Sequence, residues 1–152
     1  MKNVLGLIIA FDTDNDLREL TDHRTVAAVP FGGRYRIVDF MLSNMANAGI
    51  FRIGLLMKDK YQSLIDHIGT GKDWDLSRKN GGITLLPPYS FSKKASPLVT
   101  GEYRGKIDAL AGAIDYLQKT RADYVVLADG DLIANIDLRE VIKAHEAGGN
   151  DI

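Results

Sequence analysis

The chain is 152 residues long, 45% apolar and 26% charged, which suffices for one domain with a sizeable core and gives no sign of disorder. A net charge of −1 argues against nucleic acid or an anionic membrane as a partner, because neither is attracted by the charge of the whole. The absence of cysteine removes disulfides, thiolate nucleophiles and Cys-type zinc sites, and fits a cytoplasmic location.

Residues 4–11 are the apolar run of the N-terminus, too short to span a bilayer and without a small-residue cleavage site behind it. Within it, residues 4–10 are continuously apolar, the mark of a strand covered on both faces, with a buried helix as the competing reading. A polar loop leads to residues 27–47, which run from a turn into a helix. Pro30 to Gly33 set a bend, and Gly32 and Gly33 permit backbone conformations and close approaches that a side chain would block. From Arg36 onward, Ile37, Val38, Met41, Leu42, Met45 and Ala48 recur at spacings of three and four, predicting one buried helical face with Gly49 at the C-terminal cap.

Residues 51–57 form a second apolar run, and residues 61–68 have the spacing of a short helix ending at Gly69. Between Gly69 and Arg104 the chain is punctuated by Gly71, Gly81, Gly82, Pro87, Pro88 and Pro97, and residues 83–86 are its strand. Helical spacing returns over residues 106–119, followed by a strand at 123–128 and a helix at 138–145 that Gly148 and Gly149 close. Residues 150–152 read as the opening of another strand, so the chain looks truncated inside a β-α unit. This alternation predicts an α/β fold with a mostly parallel, doubly wound sheet and right-handed crossovers. Ligands of such sheets bind beyond the carboxyl ends of the strands, which singles out the loops 11–25 and 129–135.

A nucleotide-binding sheet usually has a glycine-rich turn after its first strand, whose bare N–H groups wrap phosphate oxygens. The loop after this first strand, Phe11-Asp-Thr-Asp-Asn-Asp-Leu-Arg-Glu-Leu20, has no glycine and carries Asp12, Asp14, Asp16 and Glu19. At an effective dielectric near 20, two charges about 4 Å apart interact by roughly 4 kcal/mol, so one carboxylate aimed at a triphosphate opposes binding strongly. As an EF-hand the loop would place Leu17 at the glycine position and His23 at the bidentate glutamate, which favours a solvated acidic loop over calcium. Asp129-Gly130-Asp131 suits either a magnesium site bridging phosphates or a strand-ending turn, and the residues alone do not choose. His23, His67 and His145 lack metal-ligand spacing, Trp74 between Asp73 and Asp75 reads as a loop anchor, and Lys93-Lys94 and the Arg104/Lys106 pair read as solvated surface rather than an anion contact.

The block Val29-Pro-Phe-Gly-Gly-Arg-Tyr-Arg-Ile-Val-Asp-Phe40, then Leu42-Ser-Asn44, Asn47-Ala-Gly-Ile50, Tyr103-Arg-Gly105 with Asp108-Ala109, and Gly130-Asp131 resemble, in order and over nearly the whole chain, the bacterial glucose-1-phosphate adenylyltransferases, also called ADP-glucose pyrophosphorylases. The resemblance implies that residues 1–152 are the N-terminal part of a Rossmann-like nucleotidyltransferase domain, with a left-handed β-helix domain lying outside this chain. It implies a reaction of ATP with glucose 1-phosphate, assisted by magnesium, that yields ADP-glucose and pyrophosphate for glycogen synthesis.

The departures from the family pattern concentrate on phosphate contacts. Where catalytic members have Gly-Gly-x-Gly-x-Arg-Leu, this chain has residues 11–17 with Asp16 at the arginine position, and Val26 stands where they have a phosphate-contacting lysine. Their Leu-Pro-Ala-Gln-Gln is here residues 86–90, and their Gly-Thr-Ala-Asp-Ala is Gly105-Lys-Ile-Asp-Ala109. Asp131 matches a metal-binding aspartate, and Gly105 and Asp108 match substrate-binding positions. Loss of a single group that stabilises transition-state charge costs about 100-fold to 1000-fold in rate. The pattern is similar to the D-type glycogen biosynthesis subunits, which implies a catalytically impaired regulatory partner of a catalytic subunit in a hetero-oligomer, with a sugar phosphate as effector. The competing readings are an active enzyme in which Arg18 or Arg24 stands in for the missing cations, and a module that senses a sugar phosphate without chemistry.

Overall fold

In the computed structural model, which describes residues 3–11, 17–88 and 103–152, the first apolar run forms β1 (Val4–Ile9). Asp12, Asp14 and Asp16 of the acidic loop, and Lys93-Lys94, lie outside the described residues. The bend expected at Pro30 to Gly33 closes into a small antiparallel hairpin of β2 (Pro30–Phe31) and β3 (Tyr35–Arg36). The predicted helix follows directly as α1 (Ile37–Asn47), then β4 (Arg52–Leu56), α2 (Gln62–Ile68) and β5 (Gly82–Leu86). The third portion holds α3 (Lys106–Gly112), α4 (Ile114–Thr120), β6 (Tyr124–Asp129) and α5 (Leu138–Gly148).

The four long strands form one parallel sheet in the order β5-β4-β1-β6. The chain therefore builds outward from β1 through β4 to β5, then returns to lay β6 on the other side of β1. Its continuous apolar runs are explained by cover on both faces. One face packs Ile8, Ile53 and Leu55 against Val38, Met41, Leu42 and Met45 of α1, Leu64 of α2 and Leu138 of α5. The other packs Leu7, Ile9, Leu56 and Leu86 against Tyr103, Ala109 and Ala113.

Two expectations need correction. The helix read over residues 106–119 is two helices, α3 and α4, separated at Ala113 (φ −91°, ψ 1°). Gly112 lies directly under the buried Tyr103 ring, where a Cβ would stand 2.9 Å from Cε1. A glycine is the weakest point of a helical run, and here the helix breaks beside it to lay both halves on the sheet. Residues 150–152 form no strand and are exposed.

A helix also packs closely on the sheet at Gly54 in the centre of β4. A Cβ there would lie 2.8 Å from Tyr116 Cε1, 2.9 Å from Leu7 Cδ1 and 3.0 Å from Leu86 Cδ1. Although valine has the better strand propensity, Gly54→Val should lower stability by about 1–3 kcal/mol through overpacking. Urea denaturation checks this, and an unchanged midpoint contradicts the packing described.

Candidate functional site

The strand order reverses between β1 and β6, and their register pairs Ile9 with Asp129, so the two strands end level. A crevice at such a reversal is where open parallel sheets bind ligands. The Gly130 N–H donates to the Ile9 carbonyl at 2.8 Å, and a Cβ on Gly130 would meet that oxygen at 3.1 Å and Ala10 Cα at 3.3 Å. The turn thus crosses tightly over the end of β1. Asp129 precedes the crossing and Asp131 follows it, which puts both carboxylates at the carboxyl edge.

The facing wall is the start of α3. Lys106, its first residue, donates from Nζ to Asp129 Oδ1 at 2.8 Å, with both side chains somewhat under half exposed. That hydrogen bond, helped by the charges of Asp129 and Asp131, holds the Lys106 ammonium above the usual lysine range although burial pushes the other way. The helix start itself is fixed by Asp108, whose Oδ2 accepts the Arg104 N–H at 3.1 Å. Just before it, buried Tyr103 stacks on Phe11 with ring centroids 6.0 Å apart, tying this segment to the chain leaving β1. Burial, and next the charge of Asp108, raise the Tyr103 hydroxyl above the usual tyrosine range. Gly105 is extended, and a Cβ there would meet nothing within 4 Å.

Of the residues that sequence reasoning singled out, Gly105 and Asp108 lie at the start of α3 and Asp131 in the turn after β6, two segments joined by the Lys106–Asp129 pair. Asp108 is engaged with the Arg104 N–H of the turn that precedes α3. Val26 sits half-buried in a short 3-10 turn, Val26–Ala28, that packs on α1 and α2. Asp16 is outside the described residues.

One further side chain, Asn44, sets the geometry and escaped the sequence reading. Asn44, buried on the inner face of α1, donates from Nδ2 to the Ala134 carbonyl at 2.9 Å and accepts from the Ile136 N–H at 3.3 Å. It clamps the loop that carries Asp131. A polar residue in line with Ile37, Met41, Met45 and Ala48 was the available signal. Lys106, read with Arg104 as solvated surface, is instead paired with Asp129, a partner 23 residues away that spacing along the chain does not reveal. Two of the three histidines have structural partners: His67 Nε2 lies 2.7 Å from Asp39 Oδ1, and His145 meets the Tyr124 ring edge-on. Trp74 anchors its loop by donating to Ser43 Oγ at 3.2 Å.

Magnesium takes oxygen ligands and commonly uses one or two carboxylates together with waters and substrate phosphates. Asp129 and Asp131 meet that number, yet one of them already carries an ammonium. Among the described residues no group of three or more His, Asp and Glu is placed to hold a metal. No helix among the described residues is long and apolar enough to cross a membrane.

The family model for nucleotidyl transferases matches residues 7–152. The chain belongs to the nucleotidyl transferase family. A glucose-1-phosphate adenylyltransferase of Thermosipho melanesiensis is 44% identical over 147 residues, covering 97% of this chain and 34% of that protein. The glycogen biosynthesis protein GlgD of Bacillus subtilis is 37% identical over 151 residues, covering 98% of this chain and 42% of that one. The chain thus spans well under half the length of these relatives. Among solved structures, a protein described as a glucose-1-phosphate thymidylyltransferase of Bacillus anthracis, crystallised with sucrose, superposes with a TM-score of 0.69 at 19% identity, over 95% of this chain and 50% of that one. This likeness supports the nucleotidyl transferase fold.

The clamp on the Asp131 loop gives a direct test. Asn44→Leu keeps the size and leaves the Ala134 carbonyl and Ile136 N–H without their partner, which should cost about 1–3 kcal/mol. Hydrogen exchange at Ile136 should speed up relative to the amides of β1; equal protection in both proteins would show that Asn44 does not hold the loop.

Proposed function

We propose that this chain belongs to a regulatory, catalytically impaired subunit of glucose-1-phosphate adenylyltransferase acting in glycogen biosynthesis. In this reading a partner subunit joins ATP and glucose 1-phosphate into ADP-glucose and pyrophosphate, in the cytoplasm, and a sugar phosphate tunes the assembly. The observation that carries it is the loss of phosphate-binding groups: a loop after β1 with no glycine, Asp16 where the resemblance calls for arginine, and Val26 where it calls for lysine. Exchanging an arginine for an aspartate beside a triphosphate removes an attraction and adds a repulsion. The magnesium of the reaction is then held at the catalytic subunit's site.

Support also comes from relatives named GlgD, at 40% and 37% identity over 98% of this chain. Identity alone does not decide, because relatives named glucose-1-phosphate adenylyltransferase reach 44%. That figure, together with Asp131 at the carboxyl edge, favours the second reading, an active adenylyltransferase with an atypical ATP loop.

The test is ADP-glucose formation by the full-length protein, alone and mixed with a catalytic subunit. Alone, the rate should fall at least about 1000-fold below that of the catalytic subunit, since more than one charge-stabilising group is missing. The mixture should differ from the catalytic subunit alone in rate or in response to sugar phosphates. Turnover by the isolated protein within about tenfold of the catalytic subunit, abolished by Asp131→Asn, would establish the second reading instead.

A further inference from the structure

We propose that the Lys106 ammonium is the resident cation of the Asp129 and Asp131 carboxylates, so that this crevice takes no divalent metal. The register of β1 with β6 and the tight Gly130 crossing fix where the two carboxylates sit. Asp129 ends β6 and Asp131 lies in the exposed turn after it, and a divalent cation with its waters is one usual partner of such a pair. Here the chain supplies its own, Lys106 Nζ at 2.8 Å from Asp129 Oδ1.

This ammonium projects from a helix start rather than from a loose loop. Asp108 accepts the Arg104 N–H and ties α3 to the turn before it, and Tyr103, packed on Phe11 and over Gly112, holds that turn against the core. A metal ion entering the crevice has to break the Lys106–Asp129 pair and then sit beside a like charge. With Lys106 in place the two carboxylates keep one unmatched negative charge. Without it they regain the pair of acids that a hard cation uses. The residue at position 106, and not the number of carboxylates, therefore decides whether the site is a metal site.

The inference deepens the proposed loss of catalysis at this same crevice, and its test involves neither nucleotide nor turnover, so the two can fail separately. Manganese is the probe, titrated into the full-length protein without ATP and followed by the electron paramagnetic resonance signal of the free ion. The natural protein should show no site that Asp131→Asn removes. Lys106→Met should gain one manganese site at least about tenfold tighter than anything in the natural protein, and Lys106→Met/Asp131→Asn should lose it again. Lys106→Gln, which keeps a hydrogen-bond donor to Asp129 without the charge, should gain the site as well, and serves if the methionine variant is unstable. The proposal is overturned if the natural protein binds manganese stoichiometrically through Asp131, or if both neutral variants bind no more manganese than the natural protein does.

Discussion

The level ending of β1 and β6 is the constraint on which the rest depends. One hydrogen bond, from the Gly130 N–H to the Ile9 carbonyl, carries the ladder past the last paired residues and turns the chain over the end of β1. A side chain there would stand within 3.1 Å of that carbonyl oxygen, so the crossing is tight. Once the crossing is fixed, Asp129 and Asp131 must lie on either side of it, and whatever faces them decides what the crevice can hold. Lys106 faces them.

The block of residues 27–47, the most specific in sequence, does its work in the scaffold. Asp39 accepts the Arg36 N–H at 2.9 Å to cap α1 and meets His67 of α2 at 2.7 Å. Arg36 reaches from the hairpin to the Ala28 carbonyl and to Ser63 Oγ, both at 2.7 Å. Buried polar groups satisfied in this way specify one arrangement of their neighbours, because leaving any of them unpaired is costly. At the far end of α1, Asn44 does the same for the loop beyond β6. A resemblance centred on this block is thus consistent with a kept fold, and says less about a kept reaction.

Much of the fold was legible because its causes are local. Continuous apolar runs marked strands covered on both faces, and apolar spacing of three and four marked α1, α2 and α5. The break between α3 and α4 was not legible from apolar spacing, and neither was the Tyr103 ring lying over Gly112 beside it. The Asn44 clamp joins residues 90 and 92 positions apart, and the Lys106–Asp129 pair spans 23; no window along the chain brings these together. The site was therefore half readable. Asp131 follows a strand in plain view, whereas the ammonium beside its neighbour needed the register of the sheet.

The proposed regulatory reading requires that this nucleotidyl transferase domain, with its phosphate-binding groups replaced, no longer holds ATP. The most direct test is calorimetric titration of the full-length protein, without any partner, with ATP in the presence of magnesium. The account predicts no binding at millimolar ATP. Saturable binding with micromolar affinity would contradict it.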